Sequence, residues 1–213
     1  MLVRPKNEKE LQKREAIGVI RASRFIRSVV HSRQAITVDT IRDIHREIFK
    51  DAWPEIAGEW RVEDLEITES KHHPPHYSKV SELMRQLGDD LVAKLKLLKS
   101  AESFWMVERR LNQSEEEMLD AIIETAAWIH HAITFIHPFR DGNGRTARLA
   151  TNLILQKFGL VGLSIRIEKE NKNRYRQSLA QIDQVQDYEP LKDFIYEGLI
   201  ERYQGVPMFF IKK

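Results

Sequence analysis

The 213-residue sequence has no cysteine. Disulfides, thiol nucleophiles and cysteine-ligated metals are therefore excluded together. It also lacks an excess of either charge: 34 Lys and Arg stand against 32 Asp and Glu, a net of +2. Such a balance exerts no strong pull toward nucleic acid or a membrane surface. No apolar run is long enough to span a bilayer. The segment Met1 to Ala16 is dense in charge and lacks the apolar core of a secretion signal. These absences lead to the expectation of a cytoplasmic protein. With 42% hydrophobic and 31% charged residues, the chain can bury a core and stay soluble, as one domain or one domain with a small appendage. There are no internal repeats and no low-complexity segment.

The pattern of apolar residues is mostly helical. Over residues 8–31 the apolar positions Leu11, Ile17, Ile20, Phe25, Val29 and Val30 predict an amphipathic helix. A second helix follows Thr37 or Asp39, with Ile41, Ile44, Ile48 and Phe49 on its stripe, and breaks at Trp53-Pro54 and Gly58. From Arg61 to Thr68 the chain alternates through Val62, Leu65 and Ile67, a strand signal. Pro74-Pro75 interrupts, and Ser78 caps a helix carrying Leu83, Met84, Leu87, Leu91 and Leu95. Residues 99–113 read as a loop into which Trp105 tucks. Ser114 and Glu117 form a capping box for a helix ending at Ile136. Further helices are expected from the motif below to Gly159, near 170–184 and near 189–203, with a partly apolar tail from Gly205.

One stretch carries most of the functional content: His137-Pro-Phe-Arg-Asp-Gly-Asn-Gly-Arg-Thr-Ala-Arg148. Gly142 and Gly144 permit backbone angles that side chains disfavour. A turn of that kind aims successive N–H groups into one anion-binding concavity. A helix starting near Arg145 adds its own unpaired N–H groups and its dipole, which together make a phosphate site. Asp141 is an anion in an anion site. A Mg²⁺ shared between its carboxylate and phosphate oxygens removes that conflict. Arg145 and Arg148 share a helix face, and their planar forks suit phosphate oxygens. Neutral His137 can accept a proton near pH 7. Phe139 anchors the loop on the core. The alternative is a polar Gly-rich turn with an ordinary Asp141–Arg145 pair. A P-loop fits less well, because no Gly-Lys-Ser/Thr and no preceding strand are present.

The stretch resembles the core motif of the Fic family, His-x-Phe-x-Asp/Glu-Gly-Asn-Gly-Arg-x-x-Arg, at every specified position. Ala57-Gly58-Glu59-Trp60-Arg61, after His45-Arg46-Glu47-Ile48-Phe49, resembles a second family element, and Pro74-Pro75 through Val80-Ser81-Glu82-Leu83-Met84 a third. The resemblance runs from about residue 37 to about 203. It divides the chain into an N-terminal helical extension (1–36), a Fic domain (37–203) and a tail (204–213). It implies an all-α Fic fold, a helical bundle with a short β-hairpin flap. It implies transfer of AMP from ATP to a Ser, Thr or Tyr hydroxyl of a target protein, with pyrophosphate released. On that resemblance His137 deprotonates the hydroxyl and Asp141 holds Mg²⁺. The Gly142-Asn143-Gly144 backbone and Arg145 hold phosphate oxygens, Arg148 places the γ-phosphate, and Tyr175 is the candidate near adenine. The target protein docks on the flap, near Glu63 to His76, by adding a strand.

The remaining features read more plainly. Pro74 and Pro75 separate His72, His73 and His76, so the helical spacing of a zinc pair is not available. One of His130 and His131 is expected as polar packing near the site. Arg21, Arg24 and Arg27 are expected on a solvated or internally paired face rather than on nucleic acid. The alternatives to AMP transfer are transfer of another phosphate-linked group, as by a kinase, and a non-catalytic binding module. Many Fic proteins are restrained by a helix bearing Ser/Thr-x-x-x-Glu-Gly/Asn, whose glutamate pairs with the second motif arginine. Glu15-Ala16 has Leu11 in the Ser/Thr place, and Glu197-Gly198 has Asp193 there. Neither matches. Control is therefore expected from a separate inhibitory protein, as in toxin–antitoxin pairs.

Overall fold

A computed structural model describes residues 3–32, 34–68, 70, 72–101, 110–163 and 169–203. Over these residues the architecture is all-helical, with seven α-helices. The chain packs as two compact units, residues 1–93 with 132–150, and residues 94–131 with 151–213.

The first unit begins with α1, Glu8–His31, capped by Asn7, whose Oδ1 accepts from the N–H of Lys9 at 2.9 Å. Its buried seam is Leu11, Gly18, Ala22, Ile26 and Val29. Ile17 and Ile20, expected inside, are exposed. The reason is the closeness of α2, Val38–Phe49. A Cβ on Gly18 would lie 1.9 Å from the Ile48 carbonyl oxygen, so only glycine fits at this point of the crossing. α2 starts at Thr37, whose N–H donates to Thr40 Oγ1 at 3.1 Å, and it buries Ile41, Ile44, Ile48 and Phe49 as its stripe predicts. Arg21 is internally paired, donating to the Glu47 carbonyl and bonded to Asp51.

Among the described residues the segment after Arg61 holds no strand. Its alternation puts Leu65 and Ile67 half inside, but Val62 is 81% exposed. Ser70 N–H turns back onto the Ile67 carbonyl at 3.1 Å, and Asp64 takes the Tyr77 N–H. Local partners of this kind replace a ladder. Ser78 lies inside a 3-10 turn, Tyr77–Lys79, and α3 starts only at Val80, running Val80–Leu97.

α4 spans Gln113–Ile136 and α5 spans Asn143–Lys157; the division between the units falls within both. The capping box that starts α4 is formed by Asn112 and Glu115, not by Ser114 and Glu117. Glu115 N–H donates to Asn112 Oδ1 at 3.1 Å, and Asn112 N–H to Glu115 Oε2 at 2.9 Å. The same reciprocal geometry two residues earlier captures the helix end. α5 ends at Gly159, φ 87°, with Leu160 N–H on the Leu155 carbonyl. The second unit is completed by α6, Lys169–Val185, and α7, Glu189–Arg202. Trp105 and the 204–213 tail lie outside the described residues. No helix among those described is long and apolar enough to cross a membrane.

Candidate active site

The last turn of α4 delivers His137. Its N–H still bonds the Ile133 carbonyl at 3.0 Å, and its φ of 51° then turns the chain out of the helix. That left-handed conformation is uncommon for a residue with a side chain. The His137 ring places Nδ1 3.2 Å from the Thr134 carbonyl oxygen. A carbonyl only accepts, so Nδ1 carries the hydrogen and Nε2 keeps the lone pair. Burial pushes the imidazole below its ordinary pKa, and the nearby Arg61 charge adds to this. His137 is therefore a neutral base at pH 7 with one defined accepting nitrogen.

Phe139, fully buried, anchors the loop. It stacks on His45 with ring centres 3.7 Å apart and touches Trp60 at 4.9 Å. Asn143 clamps the turn with both ends of its amide: Oδ1 accepts from Phe139 N–H at 2.9 Å, and Nδ2 donates to the Phe139 carbonyl at 2.7 Å. Its side chain thus shapes the loop. Gly142 has φ 77°, and a Cβ there would lie 2.3 Å from the Phe49 ring. Conformation and space both require glycine.

Asp141 is held at two levels. Its carboxylate accepts from Gly142 N–H and from Arg145 Nη2 at 3.2 Å, yet stays half exposed. Its carbonyl faces His45 Nε2 at 3.0 Å, while His45 Nδ1 accepts from Gly58 N–H at 2.9 Å. Because Nδ1 accepts, Nε2 must donate, and the tautomer of His45 follows from its partners. Burial pulls the His45 pKa down to about 4, so the ring is neutral.

Arg145 and Arg148 leave the first turns of α5. The Arg148 guanidinium returns over the helix start, with Nη1 3.5 Å from where a Cβ of Gly144 would be. Arg145 packs its guanidinium 4.8 Å over the Phe49 ring and bonds Glu15 Oε2 of α1 at 2.6 Å. The Glu15 contact departs from the sequence expectation. Glu15 lacks the flanking residues of an inhibitory helix, but it reaches a motif arginine all the same, the first rather than the second. Glu197 does not; it forms a bidentate pair with Arg174, at 2.9 and 2.7 Å.

His137, Asp141, Gly142, Asn143, Gly144, Arg145 and Arg148 thus all lie in the first unit. Tyr175 lies in the second, buried, with its hydroxyl 2.7 Å from His130 Nε2; His130 Nδ1 meets Thr151 Oγ1 at 3.1 Å. His130 is fully buried, and His131 is buried with Nε2 2.8 Å from Asp183 Oδ1, so both pack as polar residues of the second unit. His72 Nε2 meets the Phe135 carbonyl and His76 pairs with Asp64. The contacts of His45, Arg61 and Glu15 were missed in the sequence; His45 and Arg61 stand in the second family element, and Glu15 gives no signal beyond a charge beside the buried seam of α1.

A model of the Fic/DOC family matches residues 35–155. The chain is 32% identical over 159 residues to "Protein adenylyltransferase Fic" of Nematostella vectensis, covering 74% of this chain and 32% of that protein. In structure it is similar to Fic-1 (aa134–508) from C. elegans, with a TM-score of 0.68 at 26% identity, covering 96% of this chain and 54% of that one. It shares the fold of the N-terminal Fic domain of a Bartonella quintana effector protein with bound ADP, with a TM-score of 0.63 at 22% identity, covering 91% and 86%. The chain spans about a third of the length of the curated relative.

Proposed function

The chain belongs to the Fic/DOC family, and we propose that it transfers AMP from ATP to a Ser, Thr or Tyr hydroxyl of a target protein. The observation that carries this reading is a neutral His137 with its Nε2 lone pair available, five residues before the glycine turn at Gly142 that opens α5. The naming of the Nematostella relative supports it, and the ADP of the Bartonella domain supports a nucleotide on this fold. The hydroxyl oxygen attacks the α-phosphorus and its proton passes to His137 Nε2. The bond from the α-phosphorus to the bridging oxygen breaks, and pyrophosphate leaves. The N–H groups at the start of α5 and the guanidinium groups of Arg145 and Arg148 hold phosphate oxygens. Tyr175 is the residue that the family resemblance offers for the adenine. Most of the barrier is met by positioning and charge neutralisation.

Asp141 is the residue that would hold a Mg²⁺. It offers one half-exposed carboxylate, and among the described residues no cluster of three acidic or histidine side chains forms a protein-only cage. When bound, the ion would neutralise phosphate charge.

The target segment would add a strand along the flap, between Glu63 and His76. Control would come from a separate inhibitory protein; the Glu15 carboxylate on Arg145 would compete with a phosphate for that guanidinium. The test is incubation of the chain with cell lysate and ATP labelled at the α or the γ position, beside His137→Ala. Label from the α position on protein, lost in the variant while ATP binding persists, is the expected result. Label from the γ position only, or transfer retained by His137→Ala, would overturn the reading.

A further inference from the structure

Arg61 is buried with no part of its side chain exposed, and the carboxylate facing it, Asp64, lies 3.5 Å away and is itself more than half exposed. A guanidinium so enclosed needs acceptors for its donors. Arg61 finds them almost entirely on backbone. Nε donates to the His137 carbonyl at 2.8 Å, Nη1 to the Glu63 carbonyl at 2.9 Å, and Nη2 to the Pro75 carbonyl. Its own N–H donates to the Pro138 carbonyl at 2.8 Å.

These acceptors are not a random set. His137 and Pro138 are the residues at which the chain leaves α4, and His137 sits there in a left-handed conformation with φ 51°. Glu63 and Pro75 are the two ends of the flap. A planar fork reaches three carbonyls in three directions at once, which the single point charge of lysine cannot do. We propose that Arg61 is the positioning residue of the base: it fixes the left-handed turn at His137, and so the direction of Nε2, and it ties both ends of the flap to that turn. The proposal rests on the reading of His137 as the base, and it adds that the docking edge and the base move as one piece. Without the two donors on the His137 and Pro138 carbonyls, the costly φ at His137 is held only from the α4 side, by the Ile133 and Thr134 carbonyls. The Nδ1 contact with Thr134, three residues back in α4, depends on that same turn.

The test compares the whole chain with Arg61→Lys and Arg61→Met, using ¹⁵N-histidine NMR, ATP calorimetry and α-label transfer. In the wild type the His137 spectrum should show hydrogen on Nδ1 and an unprotonated Nε2, and the Arg61 Nε–H should exchange slowly. In both variants the His137 signal should become a mixture of tautomers. Transfer should fall by about a hundredfold, the scale of a misplaced general base, while ATP affinity stays within about threefold, because the phosphate contacts lie on α5. The NMR readout needs no target and no turnover. Altered tautomers with no transfer even in the wild type would support the positioning and sink the AMP-transfer reading. An unchanged His137 spectrum in Arg61→Lys, or full transfer, would overturn the role of Arg61. If both variants fail to fold, the wild-type exchange rate decides: an Arg61 Nε–H that exchanges at the rate of a solvated arginine overturns it.

Discussion

Replacing Glu15 by glutamine should tighten the binding of Mg²⁺-ATP. The two side chains meet at 2.6 Å with Arg145 26% and Glu15 14% exposed, so solvent screens the pair only in part. A hydrogen bond to a charged partner contributes about 1.5–3 kcal/mol and a neutral one about 0.5–1.5, so the amide loosens the hold on Arg145 by about 1–2 kcal/mol. If a phosphate must take Arg145 away from Glu15, that hold is subtracted from the binding energy. Its release should tighten affinity by about 5- to 30-fold, since 1.4 kcal/mol is tenfold. The fold should tolerate the change. α1 is docked by Leu11, Gly18, Ala22 and Ile26, and losing about 1 kcal/mol lowers Tm by only about 2–4 °C at this size. Calorimetry of wild type and Glu15→Gln at two salt concentrations checks this, with a smaller difference at the higher salt. Equal or weaker ATP affinity in Glu15→Gln would refute the competition, and would mean that Arg145 serves the fold and not the nucleotide.

The remaining expectations are each read by one measurement. Gly142→Ala meets the Phe49 ring at 2.3 Å with φ at 77°; it should lose about 2–4 kcal/mol in denaturant unfolding, and a loss under about 0.5 kcal/mol would contradict the loop geometry. The His137 pKa lies below its ordinary value through burial, so kcat/KM for transfer should be flat at neutral pH and fall only on the acid side of about 6.5; an acid limb centred above that value would put the base elsewhere. Leu65→Pro or Ile67→Pro should abolish target labelling with ATP affinity kept, whereas unchanged labelling would free the flap of any docking role. His45 is neutral when folded, with a pKa of about 4 against 6.5 unfolded. The unfolded chain takes up the proton first, so its contribution is complete above pH 6.5 and is lost as pH falls from 6.5 toward 4. The full loss is about 3 kcal/mol, and an unfolding free energy that is level over that window would show that His45 does not titrate as a buried ring.

The helices were legible because their signals are local. The alternation of apolar residues placed α1 to within its observed ends, and Thr37, Gly159 and the 3.6-residue stripe of α2 did the same for theirs. What periodicity alone misjudged was which face of α1 is buried. The sum of hydrophobicity favours Ile17 and Ile20, but the seam runs through Gly18 and Ala22, because the Ile48 backbone comes too close for anything larger. Two competent caps, Asn112 with Glu115 and Ser114 with Glu117, compete within one turn, and local rules do not rank them. The Val62, Leu65 and Ile67 alternation marks a segment with Leu65 and Ile67 partly inside, which is necessary for a strand, but among the described residues no neighbouring strand pairs with it.

The candidate site divides along the same line. His137 through Arg148 is one contiguous turn and helix start, and its chemistry follows from residue types at fixed spacing. Its supports do not. His45 lies 96 residues from the Asp141 carbonyl it meets, Arg61 lies 76 from His137, and Glu15 lies 130 from Arg145. Each is polar or charged and largely enclosed, and each is used almost wholly on the motif loop and the segments beside it. A polyphosphate site must gather positive charge and open N–H groups in one place, and that place repels itself until an anion arrives. Asp141 and Glu15 both place their carboxylates on Arg145, one from within the motif and one from α1. Glu15 therefore has a reason to be where it is that no pattern in its own neighbourhood expresses: Gly18, one turn along the same helix, brings α1 close enough to Ile48 for the carboxylate to reach Arg145 beside Phe49.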